Sequence, residues 1–128
     1  MLNKGESVLK LLGLYVDDMN YKGTGIPDNG EVSMRYSREI SENHDGTHEV
    51  RLGVEGKYSN GATFNVYMIG IFIIDSPEPI NDIVAATLYK DNTVAIMFPY
   101  IRTQLSLLTT QPGITPITIQ PMNIVRMF

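Results

Sequence analysis

Cysteine and tryptophan are both missing from this sequence of 128 residues. Without cysteine, disulfide bonds, thiolate nucleophiles and cysteine-bound metals are all excluded. The only two histidines, His44 and His48, flank Asp45 and Gly46, a pair typical of tight hairpin turns. With Asp45 or Glu42 they could bind a metal, but neither their spacing nor a further ligand supports a site. A solvated hairpin tip is the better interpretation.

Sequence motifs of enzyme active sites are missing as well. There is no Gly-x-Ser-x-Gly nucleophile motif, and no glycine-rich loop has the spacing that binds phosphate. Asp17 and Asp18 are adjacent on a predicted strand, where neighbouring side chains point to opposite faces, so they should not act as an acid–base pair. We therefore predict a protein that is not an enzyme and uses no cofactor and no metal. An enzyme that uses His44 or His48 is the weakest alternative.

Acidic residues outnumber basic residues in the sequence, and long hydrophobic runs are missing. The net charge is −4, which argues against nucleic acid as a partner because phosphate contacts need a basic surface. The longest apolar run, from Val66 to Ile74, is too short to span a membrane as a helix. The amino terminus shows no signal-peptide pattern, so we expect a cytoplasmic protein. With 43% hydrophobic and 19% charged residues, residues 1–128 should form one globular domain.

Hydrophobic alternation predicts four strands separated by glycine-containing turns. Residues 1–10 should form a short helix or a frayed lead-in to the first strand, which ends by Tyr21. The second strand covers residues 31–40, the third residues 47–58 and the fourth residues 62–75. We expect these strands to pair in sequence order, as an antiparallel meander.

The fourth predicted strand is apolar on both faces near its end. Its two faces carry Ile69, Ile71 and Ile73 on one side, and Met68, Phe72 and Ile74 on the other. A strand with one face in water should instead alternate between apolar and polar residues. We therefore expect a helix of the same chain to cover one face and a second subunit to cover the other.

Two helices and an extended tail are predicted after the strands. The first helix covers residues 81–90 and is interrupted by residues 91–93, while the second begins near Val94 and contains Pro99 in its early turns or at a kink. After position 92 only two residues are charged, so this region should be buried in the core or against another subunit. The sequence thus predicts an α+β fold: a four-stranded antiparallel meander with C-terminal helices packed on one face.

Apolar and aromatic residues also occur in loops and on half-exposed strands, and two interpretations are open for them. They pack in the core, or they line a surface groove that binds varied apolar segments because flexible side chains can repack. The candidates for such a client-binding groove are Tyr15, Tyr21, Ile26, Val32, Met34, Tyr36, Met122, Ile124 and Phe128.

The segment "IMFPYIRTQLSLLTTQPGITPITIQPMNI" resembles the corresponding segment of the SecB protein-export chaperones. The residues that match in order and spacing are Phe98, Pro99, Tyr100, Arg102, Pro116, Pro121 and Asn123. Upstream, "LYVDDMNY" is similar to the first strand of that family, and "EVRLGVEGKYSNGATFNVYMIGIF" is similar to its third and fourth strands. The resemblance extends from about Leu11 to Ile124.

This resemblance implies a chaperone that works without ATP. It would bind unfolded or partly folded polypeptides in the cytoplasm as a homotetramer, a dimer of dimers, whose long helices lie between subunits. The residues that this assembly would place at the oligomer interface are Phe98, Tyr100, Ile101, Leu105, Ile71 and Ile73. A non-chaperone, ligand-binding oligomer that keeps the fold is the alternative.

Departures from the family pattern affect the choice of partner. Only seven residues, from Met122 onward, stand where the family has a second long helix. Asp18 matches one of the acidic residues through which family members dock the SecA motor, but Lys22 and Asn65 replace two others. The resemblance therefore implies either export through SecA or a dedicated client such as an antitoxin, and the lost acids favour the dedicated client.

Overall fold

The computed structural model describes residues 8–119. The strands are β1 (Leu9–Lys22), β2 (Val32–Glu42), β3 (His48–Tyr58) and β4 (Thr63–Ile74). They are followed by helix α1 (Asp82–Thr87), a π-helical turn (Leu88–Asn92) and helix α2 (Thr93–Thr109). The predicted α+β fold with a four-stranded antiparallel sheet is confirmed. The predicted lead-in is wrong at residues 9 and 10, which already belong to β1, and residues 1–7 lie outside the described part.

The strand order differs from the predicted meander. The strands lie side by side in the order β1-β4-β3-β2, so only β2, β3 and β4 pair in sequence order. β1 pairs with β4 along its whole length, and residues 23–31 connect it across the end of the sheet to β2. A complete meander would have left β4, the most hydrophobic strand, at an edge, where unpaired backbone groups promote aggregation. The observed order places β4 inside the sheet.

Two β-bulges interrupt β1. The pairing of β1 with β4 shifts between Leu11 and Gly13 and again between Val16 and Asp18. The second bulge adds Asp17 to the strand, so that Asp17 and Asp18 both reach the same side of the sheet. The expectation that these two carboxylates point to opposite faces is therefore wrong, because it assumed a regular strand.

The core lies between α2 and one side of the sheet, which we call the helix face. α2 places apolar side chains at helical spacing on this face, namely Val94, Met97, Phe98, Ile101 and Leu105. They pack against alternate residues of the two inner strands, Val50, Leu52, Val54, Phe64, Val66 and Met68. Full burial of one such side chain contributes about 1.5–3 kcal/mol, so this contact dominates the stability of the fold. Gly70 permits the close approach, since a Cβ there would lie 2.9 Å from the Met97 sulfur.

The helical region continues from α1 to α2 through the π-helical turn. The predicted break at residues 91–93 is wrong, because the Thr93 hydroxyl is buried and donates to the carbonyl oxygen of Tyr89 at 2.6 Å. Pro99 lies in the interior of α2, where proline removes the hydrogen bond to the carbonyl four residues earlier, at Ala95. Pro99 and Ala95 are both exposed, so water can satisfy that carbonyl. Among residues 8–119, no helix is long and apolar enough to cross a membrane.

Candidate functional site

The structure separates the predicted client-binding residues into two places. Tyr21, Val32, Met34 and Tyr36 belong to the helix face, at the two edges of the sheet, and Ile26 lies in the loop that joins β1 to β2. Tyr15 lies on the opposite side of the sheet, which we call the open face, where it pairs with Ile69. The predicted residues Met122, Ile124 and Phe128 lie outside the described residues.

A groove of about 370 Å³ opens at the end of the sheet, and we call it the loop groove. One wall is the β1–β2 loop with Ile26 and Pro27, and the other is the turn after α2 with Pro112 and Ile114. Tyr21 completes the lining between the two walls. None of the described residues that line the groove is charged. Such a surface suits an uncharged, apolar ligand group.

The loop wall is held by hydrogen bonds to the β3–β4 turn. The hydroxyl of Thr24 donates to the carbonyl of Asn60 at 3.1 Å, and the Asn60 side-chain amide donates to the carbonyl of Ile26 at 2.5 Å. Further along, the Ser59 hydroxyl donates to the Asn29 side-chain oxygen at 2.5 Å. These bonds present Ile26 to solvent, where 62% of its surface is exposed. The loop is therefore a fixed support for an exposed aliphatic side chain.

The second wall is joined to the loop through Asp28. The hydroxyl of Thr115 donates to Asp28 Oδ1 at 2.5 Å, and the backbone N–H of Gly30 donates to the same oxygen at 2.8 Å. The bond from Thr115 lowers the pKa of the Asp28 carboxyl, since it stabilises the ionised form. The hydroxyl of Tyr58 donates to the carbonyl of Thr115 at 2.7 Å, and burial raises the pKa of Tyr58 to about 12.

Aromatic side chains form the base of this region. The ring of Tyr58 contacts Tyr21 edge-on at 6.3 Å and Phe64 at 5.6 Å, in the geometries that aromatic pairs prefer. Next to it, Val32 is the partner of Tyr58 in the β2–β3 ladder. The predicted groove residues Tyr21 and Val32 are thus both neighbours of Tyr58.

A second apolar feature, the β2 strip, lies along β2. It consists of Val32, Met34 and Tyr36, which share the helix face. α2 crosses β3, β4 and β1 but does not pack closely over β2, so Met34 keeps 37% of its surface exposed. The ring of Tyr36 lies 6.1 Å from Phe98 of α2, and burial raises the pKa of its hydroxyl. The loop groove and this β2 strip together form the candidate site, and buried Tyr58 connects them, since it contacts Tyr21 and pairs with Val32.

The open face carries positive and negative charges in equal number, and some of them are paired. Its cationic side chains are Lys10, Lys22, Arg35, Arg51 and Lys57, and its anionic side chains are Asp17, Asp18, Glu39, Glu49 and Glu55. Arg51 donates to Asp17 at 2.9 Å and stacks on the ring of Tyr67. Glu55 accepts from Arg35 and from the Tyr67 hydroxyl, and the bond from Arg35 is the main reason why the pKa of its carboxyl is lowered. Opposite charges in equal number give this face little attraction for a strongly basic partner.

Asp18, the predicted partner-docking residue, is exposed on the open face. One of its carboxylate oxygens accepts a hydrogen bond from the side-chain amide of Asn65 at 3.0 Å. The carboxylate is thus accessible, although one of its oxygens already accepts a hydrogen bond within the chain. Its role in docking stays a prediction.

The predicted oligomer-interface residues fall into two groups. Phe98, Ile101 and Leu105 are buried within the core of this single chain, so their apolar character needs no second subunit. Tyr100 is 48% exposed on the outer side of α2, and Ile71 and Ile73 are half-buried on the open face, where no described helix covers them. Only this second group is accessible to another subunit.

The two histidines have different surroundings. Within residues 8–119, no group of three metal-ligating side chains comes together around them. His44 is exposed, whereas His48 stacks on Tyr89 at a centroid distance of 3.4 Å, and its Nδ1 is buried. The solvated-tip interpretation is therefore wrong for His48, which packs against the helical region.

Sequence reasoning missed the polar residues that build the loop groove. None of Asp28, Asn60 and Thr115 was singled out from the sequence. Their hydrogen-bond partners lie 34 to 87 residues away in the chain, so no local pattern could pair them. The cluster of Asp28, Asn29 and Gly30 was the one available signal, since it marks an ordered loop.

Known proteins resemble this chain in both sequence and fold. The family model of SecB, preprotein translocase subunit SecB, matches residues 3–128. No curated protein matches the sequence at a significant level. A SecB-like chaperone of Mycobacterium tuberculosis, solved with a ChAD peptide from the HigA1 antitoxin, has a similar fold, with a TM-score of 0.73 and 13% identity. The similarity covers 93% of this chain and 94% of that one.

A second solved structure is more distant. It is a protein of unknown function from Streptococcus agalactiae, with a TM-score of 0.43 and 9% identity over 88% of this chain and 96% of that one. The family match extends over nearly the whole sequence, and the mycobacterial chaperone shares the sheet and helix arrangement. This chain belongs to the SecB family, and that membership supports a chaperone role.

Proposed function

We propose that this protein is an ATP-independent chaperone that binds unfolded or partly folded polypeptides and performs no catalysis. The observation that carries this proposal is the apolar character of the loop groove and the β2 strip. Ile26 and Met34 are exposed there, and none of the described residues that line the groove carries a charge. Clusters of exposed apolar side chains mark protein-binding surfaces. An unfolded client would place its own apolar side chains on them.

The client-binding surface would include further predicted residues. Tyr21, Val32 and Tyr36 are half-buried beside the exposed ones and would widen the surface. Tyr15 would provide a separate contact on the open face, where 49% of its surface is exposed. Met122, Ile124 and Phe128 would add apolar contacts from the end of the chain.

We favour a dedicated client, such as an antitoxin, over general export. The balanced charge of the open face gives a basic motor protein no strong attraction, although Asp18 is accessible for docking. The mycobacterial structure contains a peptide from an antitoxin, which supports the same choice. Capture of partners from the native cell separates the two versions, because export predicts SecA and several preproteins, whereas a dedicated role predicts one specific protein.

We further propose that the protein acts in the cytoplasm as a homotetramer, a dimer of dimers. Tyr100 would contact a neighbouring subunit directly, as would Ile71 and Ile73 on the open face. The interface would depend indirectly on three buried residues of α2, which hold this helix on the sheet: Phe98, Ile101 and Leu105. Exposed apolar side chains on one face of a helix are typical of helix–helix contacts between subunits.

Aggregation of a chemically unfolded client, followed by light scattering without nucleotide, tests the chaperone function. The wild-type protein, in excess over the client, should suppress aggregation. Ile26→Ser should weaken protection, whereas the control Ile83→Ser should not, since Ile83 is 77% exposed on α1, outside the loop groove. Failure of the wild type with several clients contradicts the proposal.

The size of the loop groove favours one second candidate, a small-ligand-binding oligomer. Its volume of about 370 Å³ lies within the range of about 300–1,000 Å³ that small-molecule pockets occupy. This function predicts a copurified small molecule, detectable by mass spectrometry, together with no protection of clients.

A further inference from the structure

The two walls of the loop groove come from distant parts of the chain and meet at one point. Pro27 ends the first wall and is followed by Asp28, while Ile114 ends the second wall and is followed by Thr115. The Thr115 hydroxyl donates to Asp28 Oδ1 at 2.5 Å, and the Thr115 backbone N–H lies 3.4 Å from Asp28 Oδ2. One carboxylate therefore engages both donors of a single residue.

Two further hydrogen bonds hold the contact between Asp28 and Thr115 in place. The N–H of Gly30 donates to Asp28 at 2.8 Å, which holds the carboxylate in its own loop. The hydroxyl of Tyr58 donates to the Thr115 carbonyl at 2.7 Å, which ties the second wall to β3. All three backbone and side-chain polar groups of Thr115 thus have partners. Hydrogen bonds that involve an ionised group are stronger than neutral ones, so the carboxylate dominates the contact.

We propose that Asp28 and Thr115 form a clamp that fixes the width of the loop groove, and that Asp28 is a positioning residue for client binding. This inference rests on the proposed chaperone function. The groove holds one large uncharged side chain, aromatic or aliphatic, from an extended client segment. The clamp keeps the walls at the separation that such a side chain needs.

The physical reason lies in the structure of the walls. Both walls are loops rich in glycine and proline, with positive φ at Gly25 and Gly113, and neither contains regular secondary structure. Such segments adopt many conformations unless tertiary contacts hold them. A groove whose walls are already fixed binds a side chain without the entropic cost of ordering them. Loss of the clamp therefore weakens binding even though no client contact is removed.

The test compares variants of the full-length protein for binding of a short neutral peptide with one phenylalanine, and of its alanine counterpart. Thr115→Val removes the hydroxyl with little change of shape, and Asp28→Asn removes the charge. Both should weaken binding of the phenylalanine peptide about tenfold and reduce its advantage over the alanine peptide. Thr115→Ser keeps the hydroxyl and should bind nearly as the wild type does.

Thr118→Val is the matched control, because Thr118 is exposed and its side chain makes no hydrogen bond with the described residues. Wild-type affinity in Thr115→Val, or equal losses in Thr115→Ser and Thr115→Val, overturns the clamp. Absence of peptide binding by the wild type contradicts the chaperone function instead. Should Thr115→Val fail to fold, Asp28→Glu decides the question. This variant keeps the negative charge but lengthens the side chain by a methylene group. If it still prefers the phenylalanine peptide over the alanine peptide as the wild type does, the inference is overturned.

Discussion

Tyr89 of the π-helical turn stacks on His48 of β3, with ring centroids 3.4 Å apart and an interplanar angle of 14°. The hydroxyl of the same tyrosine accepts the backbone N–H of Ile74 at 2.9 Å, where β4 ends. Nearby, Arg38 donates to the carbonyl of Lys90 at 3.0 Å. Three strands therefore hold the π-helical turn, which places the start of α2 over the sheet.

Tyr89→Phe should lower the free energy of unfolding by about 1 kcal/mol, because the N–H of Ile74 loses its acceptor while the ring contact with His48 remains. Denaturant unfolding measures the change. The control is Tyr15→Phe, since Tyr15 is 49% exposed and its hydroxyl has no hydrogen bond with the described residues. Equal stability of the two variants contradicts this role of Tyr89.

Leu105→Ala should destabilise the protein by about 2–5 kcal/mol, because Leu105 is fully buried between α2 and the sheet and its truncation leaves a cavity. Leu107→Ala provides the control on the same helix, as 59% of Leu107 is exposed. Thermal or denaturant unfolding compares them. A loss of the same size for both residues would mean that Leu105 is not buried between α2 and the sheet.

The clamp should give the stability a specific dependence on pH. The Thr115 bond lowers the pKa of Asp28 in the folded state below its ordinary value of 3.8. The carboxylate therefore stabilises the fold fully above the unfolded pKa, and this contribution is lost as the pH falls through the lower, folded pKa. Wild-type and Asp28→Asn proteins should differ in stability at neutral pH, and the difference should shrink in acid below pH 3.8. Urea unfolding across this range measures it, and a difference that does not depend on pH contradicts the ionised clamp.

Tyr100→Glu should reduce the mass of the assembly in solution, because the new charge would be buried at the proposed subunit contact. The unfolding free energy of the subunit should change little, since Tyr100 is half-exposed in the single chain. Light scattering measures the mass. Ala86→Glu adds the same charge at an exposed position of α1, away from the proposed contacts, and should leave the mass unchanged. If the mass of Tyr100→Glu equals that of the wild type, Tyr100 does not lie at a subunit interface.

Local features of the fold could be predicted well from the sequence. Alternation of apolar residues along β2 and β3 predicted both strands to within two residues, because burial of one sheet face imposes a period of two. The turn at Asp45 and Gly46 was also predicted, and Gly46 adopts a positive φ of 86°. These features depend only on neighbouring residues.

Features that depend on distant contacts could not be predicted in the same way. The hydrophobic pattern of β1 is compatible with pairing to β2 or to β4, and only the assembled sheet selects β4. The polar residues 91–93 predicted a break between two helices. In the structure the buried hydroxyl of Thr93 donates a hydrogen bond to the carbonyl of Tyr89, and the helical region continues. At the candidate site, Tyr21 and Ile26 were recognised by their apolar character, whereas Asp28 was not recognised as a partner of Thr115.

The sequence by itself determined the number of strands, the amphipathic α2 with Phe98 and Leu105 on one side, and the resemblance of its Phe-Pro-Tyr segment to one family. Each of these is encoded by spacing along the chain. The tertiary structure decided the order of the strands, the burial of Phe98 and the exposure of Tyr100, and the hydrogen bond between Asp28 and Thr115. These outcomes follow from packing and hydrogen bonds between residues far apart in sequence, which form only when the whole sheet has closed around α2.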